Sequence, residues 1–390
     1  MRKIWLVAVA LSVLSCTKNP IEITPQQENE VVAKAYGFNT NSLQEDLSAV
    51  TCIDTTIQQQ SKESLKKQLQ EYDADYGCLL VMETNTGKVR AMVNLESTNG
   101  RVNESKTNFA ITNYIEPGSF IKTFDVMALL EDKKADTSTV YSSNNGKVTF
   151  YGKTIQDSHE GGFGAITLGK ALQYSSNTVF AQAITQAYSK NPSQLVAKCK
   201  QFQLGTNLGL PFANSNNQII PNPKSTNWSK ISLPWMAFGY GMALSPIQIL
   251  TYYNGIANNG EVVKPLFLAE IKNKEGQIKY YDKKVLKSKI CSDQTLAQIQ
   301  DLLKKVVTEG TGLSSKSKKV SIAGKTSSVQ INYKSGGGAH YLSGFVGCFP
   351  SAKPKYSVIA IISNPKPSNT YYGADLAGAV VRAIAEKVQL

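Results

Sequence analysis

A serine hydroxyl is a weak nucleophile at neutral pH unless a base stands beside it. One stretch of this chain, Glu116-Pro117-Gly118-Ser119-Phe120-Ile121-Lys122, offers such a pair. Pro117 and Gly118 make a sharp entry to the apolar run Phe124, Val126, Met127, Leu129 and Leu130, which has the spacing of a largely buried helix. Ser119 then falls in the first helical turn, and Lys122 shares its face. A lysine acts as a base only where burial or a second cation lowers its pKa. The start of a helix also offers N–H groups to a developing oxyanion. As chemistry the pair would be an activated serine nucleophile; as structure it reads as a helix cap followed by a solvated lysine. The bare Ser-x-x-Lys pattern is loose, however, since Ser64 with Lys67 and Ser315 with Lys318 repeat it.

Two further stretches supply context. Tyr174-Ser175-Ser176-Asn177-Thr178 precedes an apolar helix, and Ala323-Gly324-Lys325-Thr326-Ser327-Ser328 lies in a strand-like segment. A Ser-His-Asp triad would have to use His159 or His340, the two histidines, and neither sits in a nucleophile-elbow context. Nothing in the pattern calls for a metal or an organic cofactor.

The elements that must carry these residues are legible in outline. A helix over 58–72 precedes two strands, 78–82 and 89–93, which flank a hairpin signal at Asn85-Thr86-Gly87. After the Ser119 helix the chain reads mostly helical, with segments at 167–173, 177–187, 193–202, 245–258 and 293–308. Ser245-Pro246 and Asn258-Asn259-Gly260 mark the start and stop of one of them. Strands return at 320–331, 341–349 and 356–363, and a helix over 374–388 closes the chain. The expected fold is α+β in three layers: a five-stranded antiparallel sheet, helices on both faces and a large helical insert.

The composition, 42% hydrophobic and 18% charged over 390 residues, is that of a globular chain. Lysine and arginine exceed aspartate and glutamate by 42 to 29, giving +13, but the excess is spread over many segments and reads as a solvated surface. With no arginine-rich arm, aromatic-interleaved basic patch or zinc spacing, nucleic acid is not expected as a partner. Met1-Arg2-Lys3 and an apolar stretch to Leu14, too short to span a bilayer, lead to Val13-Leu14-Ser15-Cys16. This resembles a bacterial lipobox, which implies export and lipidation of Cys16. The other five cysteines are scattered and do not suggest a disulfide framework. The polar stretch that follows Cys16 reads as a tether reaching on the order of 100 Å, with room for a short helix over 27–36.

The three stretches resemble, in order and in element type, the Ser-x-x-Lys, Ser-x-Asn and Lys-Thr-Gly motifs of the penicillin-recognising serine acyltransferases. The chain is similar to the transpeptidase domain of class B penicillin-binding proteins, particularly the division-type peptidoglycan D,D-transpeptidases. That resemblance runs from about Ile53 to the C-terminus. It takes in Gln156-Asp157-Ser158-His159, the segment from Gly239 to Gln248, Glu309-Gly310-Thr311-Gly312, the segment from Tyr341 to Pro350, and Tyr371-Tyr372-Gly373.

The resemblance implies roles for individual residues. Ser119 is the acylated residue and Lys122 its base. Ser175 relays a proton to the leaving amine, and Asn177 holds the lysine and the substrate amide. Lys325 adds a second positive charge that lowers the pKa of Lys122 and attracts the substrate carboxylate. Thr326 and Ser328 bind that carboxylate, and the backbone N–H groups of Ser119 and Ser328 form the oxyanion hole. Ser327 stands where the family has glycine, bordering the substrate: either it crowds the substrate, so that Ser327→Gly accelerates acylation, or the strand is reshaped so that Ser327 points away and glycine is neutral or harmful.

The implied organisation is a signal peptide over 1–15, a lipidated Cys16 with a flexible tether over 16–48, and the transpeptidase domain over 49–390. Expected partners are peptidoglycan stem peptides, β-lactams as covalent inhibitors, a membrane facing the cell wall, and cell-wall synthesis proteins. The class B transmembrane anchor and pedestal domain are replaced here by the lipid anchor and tether. Two alternatives share the fold: a catalytically silent peptidoglycan-binding lipoprotein and a β-lactam-hydrolysing enzyme.

Overall fold

The computed structural model describes residues 21–38, 46–331, 340–366 and 372–388. Its centre is an antiparallel sheet in the order Ala323–Ile331, His340–Phe349, Tyr356–Ser363, Tyr76–Glu83, Val89–Thr98, Arg101–Glu104. The sheet therefore has six strands rather than five. Arg101–Glu104 is short and buries only Val102, so it carries almost no alternation. Its signal was the turn: Asn99 and Gly100 both have positive φ and link Thr98 to its partner Arg101.

Because successive strand residues point to opposite faces, the near-continuous apolar strands serve two cores at once. Leu79, Val81, Val358, Ala360 and Ile362 face Leu65 and Leu69 of helix Thr55–Glu71 and Val380, Val381 and Ile384 of helix Ala379–Lys387. Cys78, Leu80, Met82, Ile359 and Ile361 face the helical insert. At the heart of the insert, helix Pro246–Ala257 is buried throughout and starts from Ser245 and Gln248, which cap one another. Helix Ile121–Glu131 is buried from Ile121 to Leu129, including its polar Lys122, Thr123 and Asp125.

The insert is less purely helical than expected. Lys147–Phe150 and Lys153–Gln156 pair as a hairpin through Tyr151 and Gly152, both at positive φ, and Leu268–Asn273 pairs with Ile278–Tyr280. These strands are short, and with only Ile155, Leu268 and Ile271 of their apolar residues buried, each carries too few alternating positions to mark it.

The flexible tether over 16–48 needs correction as well. Helix Pro25–Ala35 starts from a Thr24–Gln27 capping box and buries Val31 and Val32 in the insert's core. Tyr36 Oη donates to the Phe267 carbonyl at 2.8 Å. Leu47–Thr51 then adds a strand to Leu268–Asn273, so ordered structure begins well before residue 49. Cys16 and the 1–15 segment lie outside the described residues. Cys52, Cys78, Cys199, Cys291 and Cys348 are all buried free thiols. Among the described residues no helix is long and apolar enough to cross a membrane.

Candidate active site

The Ser119 turn fits where it does because of two glycines. Gly118 has φ +54°, and a Cβ there would lie 2.6 Å from Ser327 Oγ and closer still to Val329. On the other side a Cβ at Gly239 would strike the Gly118 backbone. The turn is thus pressed between strand Ala323–Ile331 and the 239 loop, with no room for side chains. Gly118–Phe120 forms a 3-10 turn and the α-helix proper begins at Ile121. Tyr253 Oη secures the junction, lying 2.8 Å from both the Phe120 carbonyl and Thr123 Oγ1.

Lys122 Nζ is fully buried and meets four oxygens. It lies 2.6 Å from the Ser175 carbonyl, 2.6 Å from Asn177 Oδ1, 3.0 Å from Ser119 Oγ and 3.1 Å from Ser175 Oγ. Carbonyl oxygens only accept, so the two shortest contacts take two N–H groups. A neutral amine then has one lone pair left, which can accept from one of the two hydroxyls. That is the arrangement of a base facing Ser119. Burial pulls the Lys122 pKa down to about 7, against the opposing pull of Asp157 and then Asp125.

Lys325 Nζ, also fully buried, donates to Ser175 Oγ at 3.0 Å and to the Thr326 carbonyl at 2.9 Å. Its pKa is pushed well below the usual lysine range, first by burial and then by the charge of Lys122. Two ammonium groups sharing one hydroxyl repel, so the pair disfavours the doubly charged state. Burial, rather than Lys325, is the main cause of the depressed Lys122.

Ser175 caps helix Leu168–Tyr174 in the left-handed conformation, which turns both its carbonyl and its hydroxyl to Lys122. Asn177 Nδ2 donates to the Gln156 carbonyl at 2.8 Å, fixing Oδ1 on the lysine. The buried Asp157 carboxylate accepts from Ser176 Oγ, Thr178 Oγ1 and the Thr178 N–H. Gln156 and Asp157, delivered by the 147–156 hairpin, therefore brace the second motif. The sequence placed them nearby without a role, and a buried acid has no periodic signature.

A cavity of about 660 Å³ opens along the free edge of strand Ala323–Ile331. Ser119, Ser175, Asn177, Thr326 and Ser328 line it together, and Lys325 stands behind Ser175. Thr311 is an addition: its Oγ1 sits 2.7 Å from Thr326 Oγ1 inside the cavity. Ser328 Oγ accepts from the Gly373 N–H at 3.1 Å.

Ser327 does not crowd this space. It shares the Lys325 face of the strand, is 4% exposed, and donates from Oγ to the Pro117 carbonyl at 3.0 Å. Its expected place beside the substrate is corrected accordingly: the hydroxymethyl points beneath the nucleophile turn. His159 bonds the Gly162 carbonyl through Nδ1 and packs on Phe163. In the other two Ser-x-x-Lys tetrads the serine is buried and Lys67 and Lys318 are exposed, so no base meets the hydroxyl.

The family model for the penicillin binding protein transpeptidase domain matches residues 77–386. The chain belongs to the penicillin-binding protein transpeptidase family. Among curated relatives, this chain is 27% identical over 353 residues to the peptidoglycan D,D-transpeptidase FtsI of Buchnera aphidicola, covering 87% of this chain and 58% of that one. It is 26% identical over 344 residues to FtsI of Escherichia coli K12, covering 85% and 54%. The chain thus spans little more than half the length of these two relatives.

Solved structures show the same fold. The transpeptidase domain of Burkholderia pseudomallei penicillin-binding protein 3 aligns with TM-score 0.71 at 24% identity, over 88% of this chain and 96% of that one. The D,D-transpeptidase domain of an Eggerthella lenta peptidoglycan glycosyltransferase aligns with TM-score 0.74 at 22% identity, over 90% and 85%.

Proposed function

We propose that this chain is a serine-type peptidoglycan D,D-transpeptidase that works through a Ser119 acyl-enzyme. The observation that carries this reading is the contact of Lys122 Nζ with Ser119 Oγ at 3.0 Å, with two of its N–H groups held by carbonyls. A donor stem peptide lies along the free strand edge, its terminal carboxylate among the hydroxyls of Thr326, Ser328 and Thr311. Ser119 Oγ attacks the carbonyl carbon of the D-Ala–D-Ala amide as its proton passes to Lys122 Nζ. The oxyanion is held by the N–H groups of Ser119 and Ser328. As the C–N bond breaks, Ser175 Oγ gives its proton to the departing amine and regains one from Lys122, and D-alanine leaves. An amine from a neighbouring stem peptide then attacks the ester, and its proton returns through the same groups to Ser119.

Lys325, with no opening to the cavity, acts on the substrate carboxylate and on Ser175 by its field. Cys16 is the lipid attachment point after removal of residues 1–15, which places the domain on a membrane facing the cell wall, within reach of other wall-synthesis proteins. The domain also takes β-lactams as slow-release acyl donors.

Intact-mass measurement after penicillin treatment is expected to show one adduct, absent in Ser119→Ala. An adduct that survives the substitution, or a native protein that takes none, overturns the assignment. Slow release of that adduct, with no turnover of a chromogenic cephalosporin, separates transpeptidase from β-lactam hydrolase.

A further inference from the structure

We infer that Ser327 is a positioning residue that fixes the gap between the two sides of the oxyanion hole. Its hydroxyl donates to the Pro117 carbonyl at 3.0 Å and so joins strand Ala323–Ile331 to the turn that carries the nucleophile. Pro117 lies two residues before Ser119 and Ser327 immediately precedes Ser328, so a single hydrogen bond spans the segments that supply both N–H donors. Among the described residues the Pro117 carbonyl otherwise accepts only a long 3.3 Å bond, from the Phe120 N–H.

The contact is built on both sides of residue 327. A Cβ at Gly373 would come within 2.6 Å of the Ser327 carbonyl and 3.0 Å of its nitrogen, so the C-terminal segment presses directly on this backbone. Ser328 Oγ holds the Gly373 N–H from the adjacent position. On the opposite face Phe120 fills the space left by Gly344, the cross-strand partner of Ser327. A glycine at 327 would remove this hydrogen bond between the turn and the strand. Donors at the wrong separation stabilise the tetrahedral state less, while the ground-state complex is little affected. Ser327 therefore acts on the acylation step, through the turn, without meeting the substrate.

This rests on the acyl-enzyme reading of the site, and the experiment is arranged to fail separately from it. Stopped-flow acylation by one β-lactam is measured for the native protein, Ser327→Ala and Ser327→Gly, resolving the acylation rate constant from the preceding dissociation constant. Hydrogen–deuterium exchange of the peptide over residues 117–122 is followed in the same three proteins. Both variants are expected to acylate about 3- to 10-fold more slowly, the worth of one buried hydrogen bond. The dissociation constant should stay within about twofold, and the 117–122 amides should exchange faster. Acylation as fast as native or faster in both variants, with exchange unchanged, overturns the inference. So does a loss confined to the dissociation constant. A native protein that takes no adduct defeats the acyl-enzyme reading instead. Exchange alone then decides: faster exchange in Ser327→Ala supports the strut, and unchanged exchange overturns it.

Discussion

Lys122 can take a proton from Ser119 only while it is uncharged, and with its pKa brought to about 7 the neutral fraction grows as pH rises through neutrality. Acylation by a β-lactam should therefore climb with pH and level off above about 8. Asp125, three residues further along the helix, is buried in apolar surroundings with Oδ2 unpartnered, and burial pushes its carboxyl well up. The groups that feel its charge are Lys122 on the same helix and Tyr188, Cys199 and Tyr252 on packed elements. A carboxyl raised on folding favours the folded state only below its unfolded pKa, and that contribution is lost as pH rises towards the folded value. Asp125→Leu should thus stabilise the protein at pH 7 by about 1–3 kcal/mol, the cost of an unmatched buried polar group. Its advantage should grow as pH rises from about 4 towards neutrality, read from urea melts. At this scale the motif residues were legible because each combines a reactive type with a fixed spacing. The target of Ser327 was not, because the partner atom belongs to a turn 210 residues away.

The elements of the site were legible where they are amphipathic and capped. Strand Tyr356–Ser363 has the bounds expected, and helices Asn177–Tyr188 and Asp293–Glu309 extend the expected ones by a single residue. The 147–156 hairpin was not, since its strands are four residues each and, of Val148, Phe150 and Ile155 on its apolar face, only Ile155 is buried. It nonetheless carries the brace for the second motif. Asp157→Leu would leave the hydroxyls of Ser176 and Thr178 and the Thr178 N–H without their acceptor. The expected loss is about 3 kcal/mol or more of stability, and acylation falls at least tenfold as Ser175 and Asn177 lose their setting. Asp157→Asn keeps one acceptor oxygen and should lose less on both measures. Equal losses in both variants would mean that the charge, not the hydrogen-bond geometry, is what holds the segment.

At the scale of the whole molecule, the docked N-terminal helix changes how far the domain can stand from a membrane. A mobile stretch from Cys16 to residue 48 would reach on the order of 100 Å, but Pro25–Ala35 is packed into the core and only nine residue steps separate Cys16 from Pro25. At about 3.4 Å per residue that leash is at most roughly 30 Å. If Cys16 carries the lipid as proposed, helix Pro25–Ala35 stays within that reach of the bilayer. The helix is kept in place by Val31 and Val32 in the core and by the edge-on packing of Tyr36 on Phe212 and Phe267. Val32→Asp puts an unpaired charge in that contact and should release the helix, at a cost of about 3 kcal/mol or more to the melt of this region. With the lipidated full chain on a supported bilayer, neutron reflectometry should place the native protein within roughly 30 Å of the headgroups. Val32→Asp should move its layer outward, while penicillin labelling persists because the cleft is built from other elements. A native layer standing off by on the order of 100 Å, or one that Val32→Asp leaves unmoved, would show that the helix does not set the height.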